Sequence, residues 1–283
     1  MASAKGKSAA KSKPSAKTGA PANKSAQRQS PQPLQTKRLE IADIRYAVGA
    51  GWRDFLRRPL LSGFFGLFYC LFGIAFMAGL LWLDRVWLIL PLAVGFPLVA
   101  PFAAAGLYDI SRRLEQGEDF SWRDVFTVIW AQRNRELGWM AFVTLFVLWF
   151  WLYQARLLLA IFLQSLSFSS FERFIEVVAS TSNGWLFLGV GTVVGAFWAS
   201  VLFTVTVISM PLLLDRQVDF VSAMVLSVRT VFKNPVVMIG WGLIIAALMM
   251  LSMIPFFAGL IIVLPVLGHA TWHLYRRAVA PSE

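Results

Sequence analysis

Long apolar runs alternate with short amphipathic and charged segments along most of the chain. A helix of about 20 apolar residues is long enough to cross the ~30 Å hydrocarbon core of a bilayer. The pattern therefore predicts an all-α integral membrane protein with six transmembrane helices. These spans are expected at about residues 60–83, 86–108, 137–163, 184–214, 235–253 and 256–275.

Amphipathic segments precede several of the apolar runs. In 41–58, apolar residues recur every three or four positions with arginines between them: Ile41, Ile44, Val48, Trp52 and Phe55. This spacing places the apolar side chains on one face, as in helices that lie in the membrane interface. Similar interfacial helices are predicted at 120–133 and 219–234, and a shorter one within 164–183.

The amphipathic segments and the spans recur as an internal repeat. Residues 43–59 match 219–235 at an offset of 176, and a weaker unit begins near residue 120. The second and sixth spans also end alike, because each has a proline followed by an arginine pair: Pro101 with Arg112 and Arg113, and Pro265 with Arg276 and Arg277. A unit of two spans begins and ends on one side, so we expect helical hairpins in parallel repeats.

Charge separates a tail from the membrane domain. Only 14% of the residues are charged, against about 25% in soluble domains. Residues 1–40 hold nine Lys and Arg and one acid, and they have almost no large apolar side chains. We predict a disordered basic tail over 1–40 and a six-span domain over 41–278. The tail could contact anionic lipid or act as a topology signal and solubilising segment; its composition does not favour specific binding of nucleic acid.

The basic residues also predict an orientation. Lys and Arg concentrate in the tail, in the loops at 109–136 and 214–235, and at the C-terminus. Because basic loops stay on the cytoplasmic side, we expect both termini in the cytoplasm.

Two histidines near the C-terminus provide candidate chemistry. His269 and His273 are four residues apart and share a helix face, and the repeat makes Asp109 equivalent to His273. We expect a polar cluster at the cytoplasmic end of the spans, composed of Asp109, His269, His273, Arg112, Arg113, Arg276 and Arg277. If spans two and six are neighbours, Asp109 can bond to His273 and favour its protonated form. The alternatives are a metal site and hydrogen bonds across helices or to interfacial water.

Two further features lie in the middle of the chain. Arg156 falls inside the third span, where we expect it to reach the interface or to pair with Glu172 or Glu176. The fourth span carries small residues four apart, a spacing typical of closely packed membrane helices: Gly191, Gly195 and Ala199.

Four segments together resemble a known family: GLYDISRRLEQG (106–117), PLLLDRQVDF (211–220), SVRTVFKNP (227–235) and GHATWHLYR (268–276). They resemble the domain-of-unknown-function 2189 family of bacterial predicted integral membrane proteins, over about residues 40–278. The resemblance implies a multi-pass protein of the bacterial inner membrane. It implies no activity and supplies no catalytic residues.

The sequence contains no nucleotide-binding loop, dinucleotide fingerprint, catalytic triad motif or zinc-protease motif, so we expect neither an enzyme nor a cofactor. Three hypotheses remain. The first is a non-enzymatic accessory or assembly partner of a membrane complex. The second is a transporter or channel for a small solute or ion, with spans two and six lining a path. The third is a protein that handles metal or haem through His269 and His273.

Overall fold

The computed structural model describes residues 35–82, 89–132, 136–163 and 171–279. In this part of the chain helices are joined by short loops, and the β-structure consists of one isolated antiparallel bridge, between Thr36 and Val279. The helices are α1 (Ile41–Arg57), α2 (Pro59–Trp82), α3 (Ile89–Gln116), α4 (Trp122–Gln132), α5 (Glu136–Phe162), α6 (Phe171–Ser180), α7 (Ser182–Thr206), α8 (Ser209–Asp215), α9 (Phe220–Lys233), α10 (Pro235–Met253) and α11 (Leu260–Ala278).

Within the described residues, four stretches are long and apolar enough to cross a membrane: Pro59–Gly79, Glu136–Phe162, Ser182–Asp215 and Pro235–Met253. They confirm the membrane class and coincide with the first, third, fourth and fifth predicted spans. Pro59 and Pro235 each begin a helix, where the missing N–H of proline is not needed.

The second and sixth predicted spans are not among these four stretches. The second, 86–108, falls in α3 and partly outside the described residues, so it stays a prediction. The sixth was expected from residue 256, but Phe256 and Phe257 have positive φ angles of 49° and 64°. Bulky residues rarely adopt this conformation outside a turn, and α11 therefore begins only at Leu260. The count of six spans and the repeat also stay predictions.

The predicted fourth span is interrupted. A helix over 184–214 would be about 46 Å long, longer than the ~30 Å hydrocarbon core. In the structure α7 ends at Thr206 and α8 begins at Ser209. Ser227 of α9 occupies the break: its hydroxyl accepts from the Ile208 N–H (3.2 Å) and donates to the Thr204 carbonyl (2.7 Å). The inserted hydroxyl replaces part of the helical hydrogen-bond ladder.

Helix α11 is the central element, because it packs on α1, α2, α3 and α10. Two glycines allow neighbouring helices to approach its backbone. A Cβ on Gly51 of α1 would lie 2.6 Å from the Ala270 nitrogen, and one on Gly66 of α2 would lie 2.5 Å from the Leu260 oxygen. The largest fully buried side chains include Trp241, Trp272 and Tyr275. The described core thus gathers where α3 and α11 end and α10 begins.

Helix α1 uses a different face from the one predicted. Its buried side is mainly small, with Ala47, Ala50 and Gly51 against α11. Ile41 and Trp52 are 59% and 45% exposed, although the apolar spacing grouped them with the buried residues Ile44 and Phe55. Close packing on α11 requires small side chains, so the large ones at the edge of the face remain outside.

The chain just before α1 is attached to the bundle. The Lys37 N–H donates to the Ala278 carbonyl (2.8 Å) and the Leu39 N–H donates to Asn234 Oδ1 (2.7 Å). The Asn234 amide in turn donates to the Lys37 carbonyl (3.2 Å). The predicted tail boundary at residue 40 is therefore too late, because residues 36–39 already belong to the folded domain.

The α1–α11 contact gives a test with a matched control on one helix. We expect Gly51→Ala to lower the thermal unfolding midpoint, because its methyl would meet the α11 backbone; such overpacking costs about 1–3 kcal/mol. Gly49→Ala should raise the midpoint slightly, since no atom of the described part of the chain lies within 4 Å of its Cβ position and alanine favours a helix by about 0.5–1 kcal/mol. A Gly51→Ala protein at least as stable as the Gly49→Ala protein would contradict this packing.

Candidate functional site

The predicted polar cluster lies where α3 and α11 end, but its members pair differently from the prediction. Asp109 is fully buried and bonds within its own helix, to Arg112 Nη2 (2.6 Å) and Arg113 Nε (2.8 Å). The predicted bond from Asp109 to His273 is wrong. Two guanidinium groups one turn away already occupy both carboxylate oxygens, and charged groups of this kind make strong bonds.

The partner of His273 is Asp54 of α1, which the sequence analysis did not single out. His273 Nε2 lies 2.7 Å from Asp54 Oδ2, and their side chains are 12% and 7% exposed. The next turn of the same α1–α11 contact is also bonded. Arg277 lies 3.3 Å from Asp43 and stacks over the Tyr46 ring at 4.3 Å.

His269 is held between two serine hydroxyls in the interior. Its Nδ1 lies 2.8 Å from Ser111 Oγ, and its Nε2 lies 2.9 Å from Ser62 Oγ. The Ser111 hydroxyl donates to Asp54 Oδ2 at 2.9 Å, so it can only accept at His269. Nδ1 of the neutral imidazole therefore carries the proton, and Nε2 accepts from the Ser62 hydroxyl.

These contacts form one chain of hydrogen bonds, Ser62–His269–Ser111–Asp54–His273, which we call the buried polar network. It joins four helices, since its members come from α2, α11, α3 and α1. His269 and both serines have no exposed surface. Every polar atom that the network uses has a partner, so burial does not leave a donor or acceptor unpaired.

The network contains the residue types of a hydrolytic triad, but in a different order. In a triad one imidazole contacts both the serine hydroxyl and the carboxylate. Here Ser111 lies between the His269 imidazole and Asp54, and the imidazole that contacts Asp54 directly, that of His273, is bonded to no serine within the network. The Ser62 hydroxyl is also fully buried, which leaves no room for a substrate carbonyl beside it. The geometry therefore indicates a link between helices.

A metal site on His269 and His273 is disfavoured by their hydrogen bonds. Both ring nitrogens of His269 are bonded to serines, and Nε2 of His273 is bonded to a carboxylate. Across residues 35–82, 89–132, 136–163 and 171–279, no three His, Cys, Asp or Glu side chains converge as metal ligands would.

The remaining basic residues of the predicted cluster bond to acids on neighbouring helices. Arg276 lies 3.3 Å from Glu115 and 3.5 Å from Asp215. Two buried aromatic residues bind the same acids, because Trp272 Nε1 donates to Glu115 (3.2 Å) and the Tyr275 hydroxyl donates to Asp215 (2.7 Å). This group fastens α11 to the ends of α3 and α8.

The small-residue stripe of α7 does not form the predicted close contact. Among the described residues, no atom lies within 4 Å of a Cβ built on Gly191, and the nearest atom to one on Gly195 is Trp151 Nε1 at 3.6 Å. Gly195 and Ala199 instead line a cavity of about 390 Å³ between α5 and α7. The indole of Trp151 lines the same cavity, next to Gly195.

Arg156 is exposed on α5. One of its two predicted partners is Glu172, whose backbone belongs to α6 but whose side chain the structure does not describe. Elsewhere in the described parts of the chain, no hydrogen bond or ion pair is found for its guanidinium. Two residues earlier, Gln154 accepts a hydrogen bond from Trp198 Nε1 (2.7 Å) and thereby joins α5 to α7.

Opposing effects act on the pKa of the Asp54 carboxyl. Burial raises the pKa of this carboxyl. The hydrogen bond and the charge of His273, together with the Ser111 hydroxyl, lower the pKa by more than burial raises it, so that it lies below the ordinary value of 3.8. A group whose pKa is lower in the folded state stabilises it above its unfolded pKa. That stabilisation is lost as the pH falls through the folded pKa.

We expect Asp54→Asn to lower the free energy of unfolding by about 2 kcal/mol at neutral pH, because hydrogen bonds to a charged group are lost. The difference from the unsubstituted protein should shrink as the pH falls below the ordinary pKa of 3.8 toward the lower pKa of folded Asp54. Unfolding midpoints measured from pH 7 to pH 3 check both statements.

The matched control is Asp119→Asn, at the same end of the bundle. Asp119 pairs with Arg58 at 2.9 Å but is 95% exposed, and exposed ion pairs contribute little to stability. Equal effects of the two substitutions would show that the buried polar network does not hold the helices together.

No curated protein and no solved structure matches the chain. Residues 89–215, from the beginning of α3 to the end of α8, match a family model described as "Predicted integral membrane protein (DUF2189)". The segment 106–117 lies inside the matched range, and the segments 227–235 and 268–276 lie outside it. Over residues 89–215, the match confirms the resemblance to the DUF2189 family of predicted integral membrane proteins.

Proposed function

We propose that the protein is a non-enzymatic accessory or assembly partner of a membrane complex, and that it binds another membrane protein through helix α5. In the apolar 18-residue stretches of α5 and α7 no residue is buried. In the corresponding stretches of α2 and α10, 33% and 22% of the residues are buried. Beyond the start of α5, where Leu137, Met140, Ala141 and Thr144 are buried, these two span candidates are therefore the most available to a partner.

One observation carries the proposal, an aromatic stripe on α5. Its residues are spaced alternately by three and four positions and are 56–64% exposed: Trp139, Phe142, Phe146, Trp149 and Tyr153. This 3.5-residue spacing is the one that keeps a seam of side chains facing a neighbouring helix. Aromatic side chains of this kind also dominate the energetics of protein interfaces.

The next position of the same stripe is Arg156. An arginine in an apolar face is costly unless it reaches the interface or finds a partner. A carboxylate at the corresponding depth of another helix would neutralise it. We therefore infer that the partner is a transmembrane helix with an acidic residue near one end.

The placement of basic residues supports a location for this function. We propose the bacterial inner membrane, with both termini in the cytoplasm, because Lys and Arg concentrate on one side of the predicted spans. The ends of α3 and α11, with the buried polar network, would then face the cytoplasm.

Photocrosslinking in native membranes tests the partner. A photoreactive amino acid at Phe146 or Trp149 should give a discrete protein adduct, identified by mass spectrometry. The same amino acid at Leu243 of α10, which is 65% exposed, should not. Arg156→Gln should lower the adduct yield about tenfold or more, since truncating one member of a desolvated charge pair costs about 2 kcal/mol or more. Arg156→Lys, which retains the charge, should preserve most of the yield.

Two outcomes would contradict the accessory role. Lipid adducts alone, with equal yields at Phe146 and Leu243, would show that the stripe faces lipid. An adduct with twice the mass of the chain would show that the stripe binds a second copy.

A second candidate function, transport of a small solute, is favoured by one cavity. A space of about 280 Å³ lies between α2, α3, α10 and α11. Two of these helices, α3 and α11, contain parts of the second and sixth predicted spans, which were expected to line a path. Its lining is mainly apolar, with Ala104, Leu107 and Gly268 next to Tyr108 and Thr271.

Thiol labelling tests this second function. If the cavity opens to water, Ala104→Cys in a Cys70→Ala background should react with a membrane-impermeant thiol reagent. A cysteine at the exposed position Arg123 serves as the positive control for labelling. Absence of reaction at residue 104, with full reaction at residue 123, would count against a water-accessible path.

A further inference from the structure

The outward face of α1 carries positive charges that the helical bundle does not use. Arg45, Arg53 and Arg57 are exposed, and no acidic side chain pairs with them in the described parts of the chain. Arg58 and Arg277, by contrast, bond to Asp119 and Asp43. Three guanidinium groups on one short helix thus remain available to an anion.

Apolar side chains lie beside these arginines. Ile41, Trp52 and Leu56 are 59%, 45% and 56% exposed. At 100° per residue these three side chains fall within an arc of about 60°, and Arg53 and Arg57 follow about 60–100° farther around the helix. Arg45 lies inside the apolar arc, about two turns before Trp52 along the helix. The exposed surface therefore has apolar side chains with one arginine among them and a basic edge beside them, as in a helix that lies at a membrane surface.

The connection between α1 and α2 places this face at the bilayer surface. Helix α1 ends at Arg57, and the span candidate Pro59–Gly79 begins two residues later. At 1.5 Å per residue, Arg53 and Arg57 lie within about 9 Å of the entry point along the chain. Tryptophan is favoured at the level of the lipid headgroups, which is where Trp52 would lie.

We propose that this face of α1 is a binding site for the headgroups of anionic phospholipids in the leaflet that α2 enters. The guanidinium groups of Arg45, Arg53 and Arg57 contact lipid phosphates, which a planar guanidinium can bind through two parallel hydrogen bonds. Trp52 and Leu56 insert beside the headgroups. The opposite side of α1 remains occupied by α11, so lipid binding leaves the bundle unchanged.

The test uses the full-length chain in nanodiscs that contain phosphatidylcholine with a minority of phosphatidylglycerol. A phosphatidylglycerol analogue with a photoreactive headgroup is added in trace amount, and mass spectrometry maps the labelled peptides. The triple variant Arg45→Gln, Arg53→Gln, Arg57→Gln removes the charges. Its matched control is Arg45→Lys, Arg53→Lys, Arg57→Lys, which preserves them. A photoreactive phosphatidylcholine analogue reports labelling that does not depend on charge.

The α1 peptide should be labelled by the phosphatidylglycerol analogue in the unsubstituted protein. This labelling should fall about fivefold for each charge removed, the effect expected of a basic residue near an anionic surface. The lysine variant should lose much less, and labelling by the phosphatidylcholine analogue should not change. Peptides from the basic segment 1–34 provide an internal reference, because the substitutions leave that segment intact.

Equal labelling of α1 by the anionic analogue in the glutamine variant and in the unsubstituted protein would overturn the proposal. So would a preference for phosphatidylcholine in the unsubstituted protein. The substituted side chains are exposed, so both variants should retain the helix content and unfolding midpoint of the parent. If the glutamine variant does not fold, the comparison of the two lipid analogues on the unsubstituted protein and on the lysine variant still decides the question.

Discussion

The close contact between α1 and α11 is the constraint on which the described bundle depends. It is possible because Gly51 has no side chain, so the α1 backbone can reach the backbone of α11 near Ala270. One turn farther along α1, this approach brings Asp54 to His273 at 2.7 Å and to Ser111 of α3 at 2.9 Å. A larger residue at position 51 would move the carboxylate away from both partners. The packing of small residues therefore comes first, and the polar network follows from it.

The two sides of α1 serve different environments. The side toward α11 holds small residues and one buried carboxylate, and the outward side holds Trp52, Leu56 and the three arginines. Helix α5 differs from α1, because no residue is buried in its apolar 18-residue stretch. The described structure thus combines a bundle centred on α11 with the apolar pair α5 and α7, which is largely exposed. A bundle fixed by buried hydrogen bonds can hold such a pair in place while its outer surface remains available.

The sequence predicted the helical class and the segments that became four apolar helices, because long uncharged runs depend only on composition and length. It did not predict the interruption at residues 207–208, which arises from Ser227, a residue 19 positions away. The candidate site was predicted in part: His269, His273 and the arginine pairs do lie at one end of the bundle. Their partners depend on which helices are adjacent, which a single sequence does not contain. Asp54 carried a signal that was missed, since it shares a helix face with Ala47, Ala50 and Gly51. The buried hydroxyls of Ser62 and Ser111 carried none.

The polar groups around α11 carry less charge the more completely they are buried, because burying a charge is costly. Arg276 and Glu115, about one third exposed, form an ion pair in contact with water. Asp54 and His273 are nearly buried and share a single short bond. His269 is completely buried, and its two neighbours are serines, which add no charge. Transfer of an ion into a region of low dielectric costs several kcal/mol, whereas a neutral imidazole between two hydroxyls can satisfy both nitrogens. Asp109 is fully buried and still charged. It follows the same principle, because two guanidinium groups bonded to this carboxylate offset the cost of burying it.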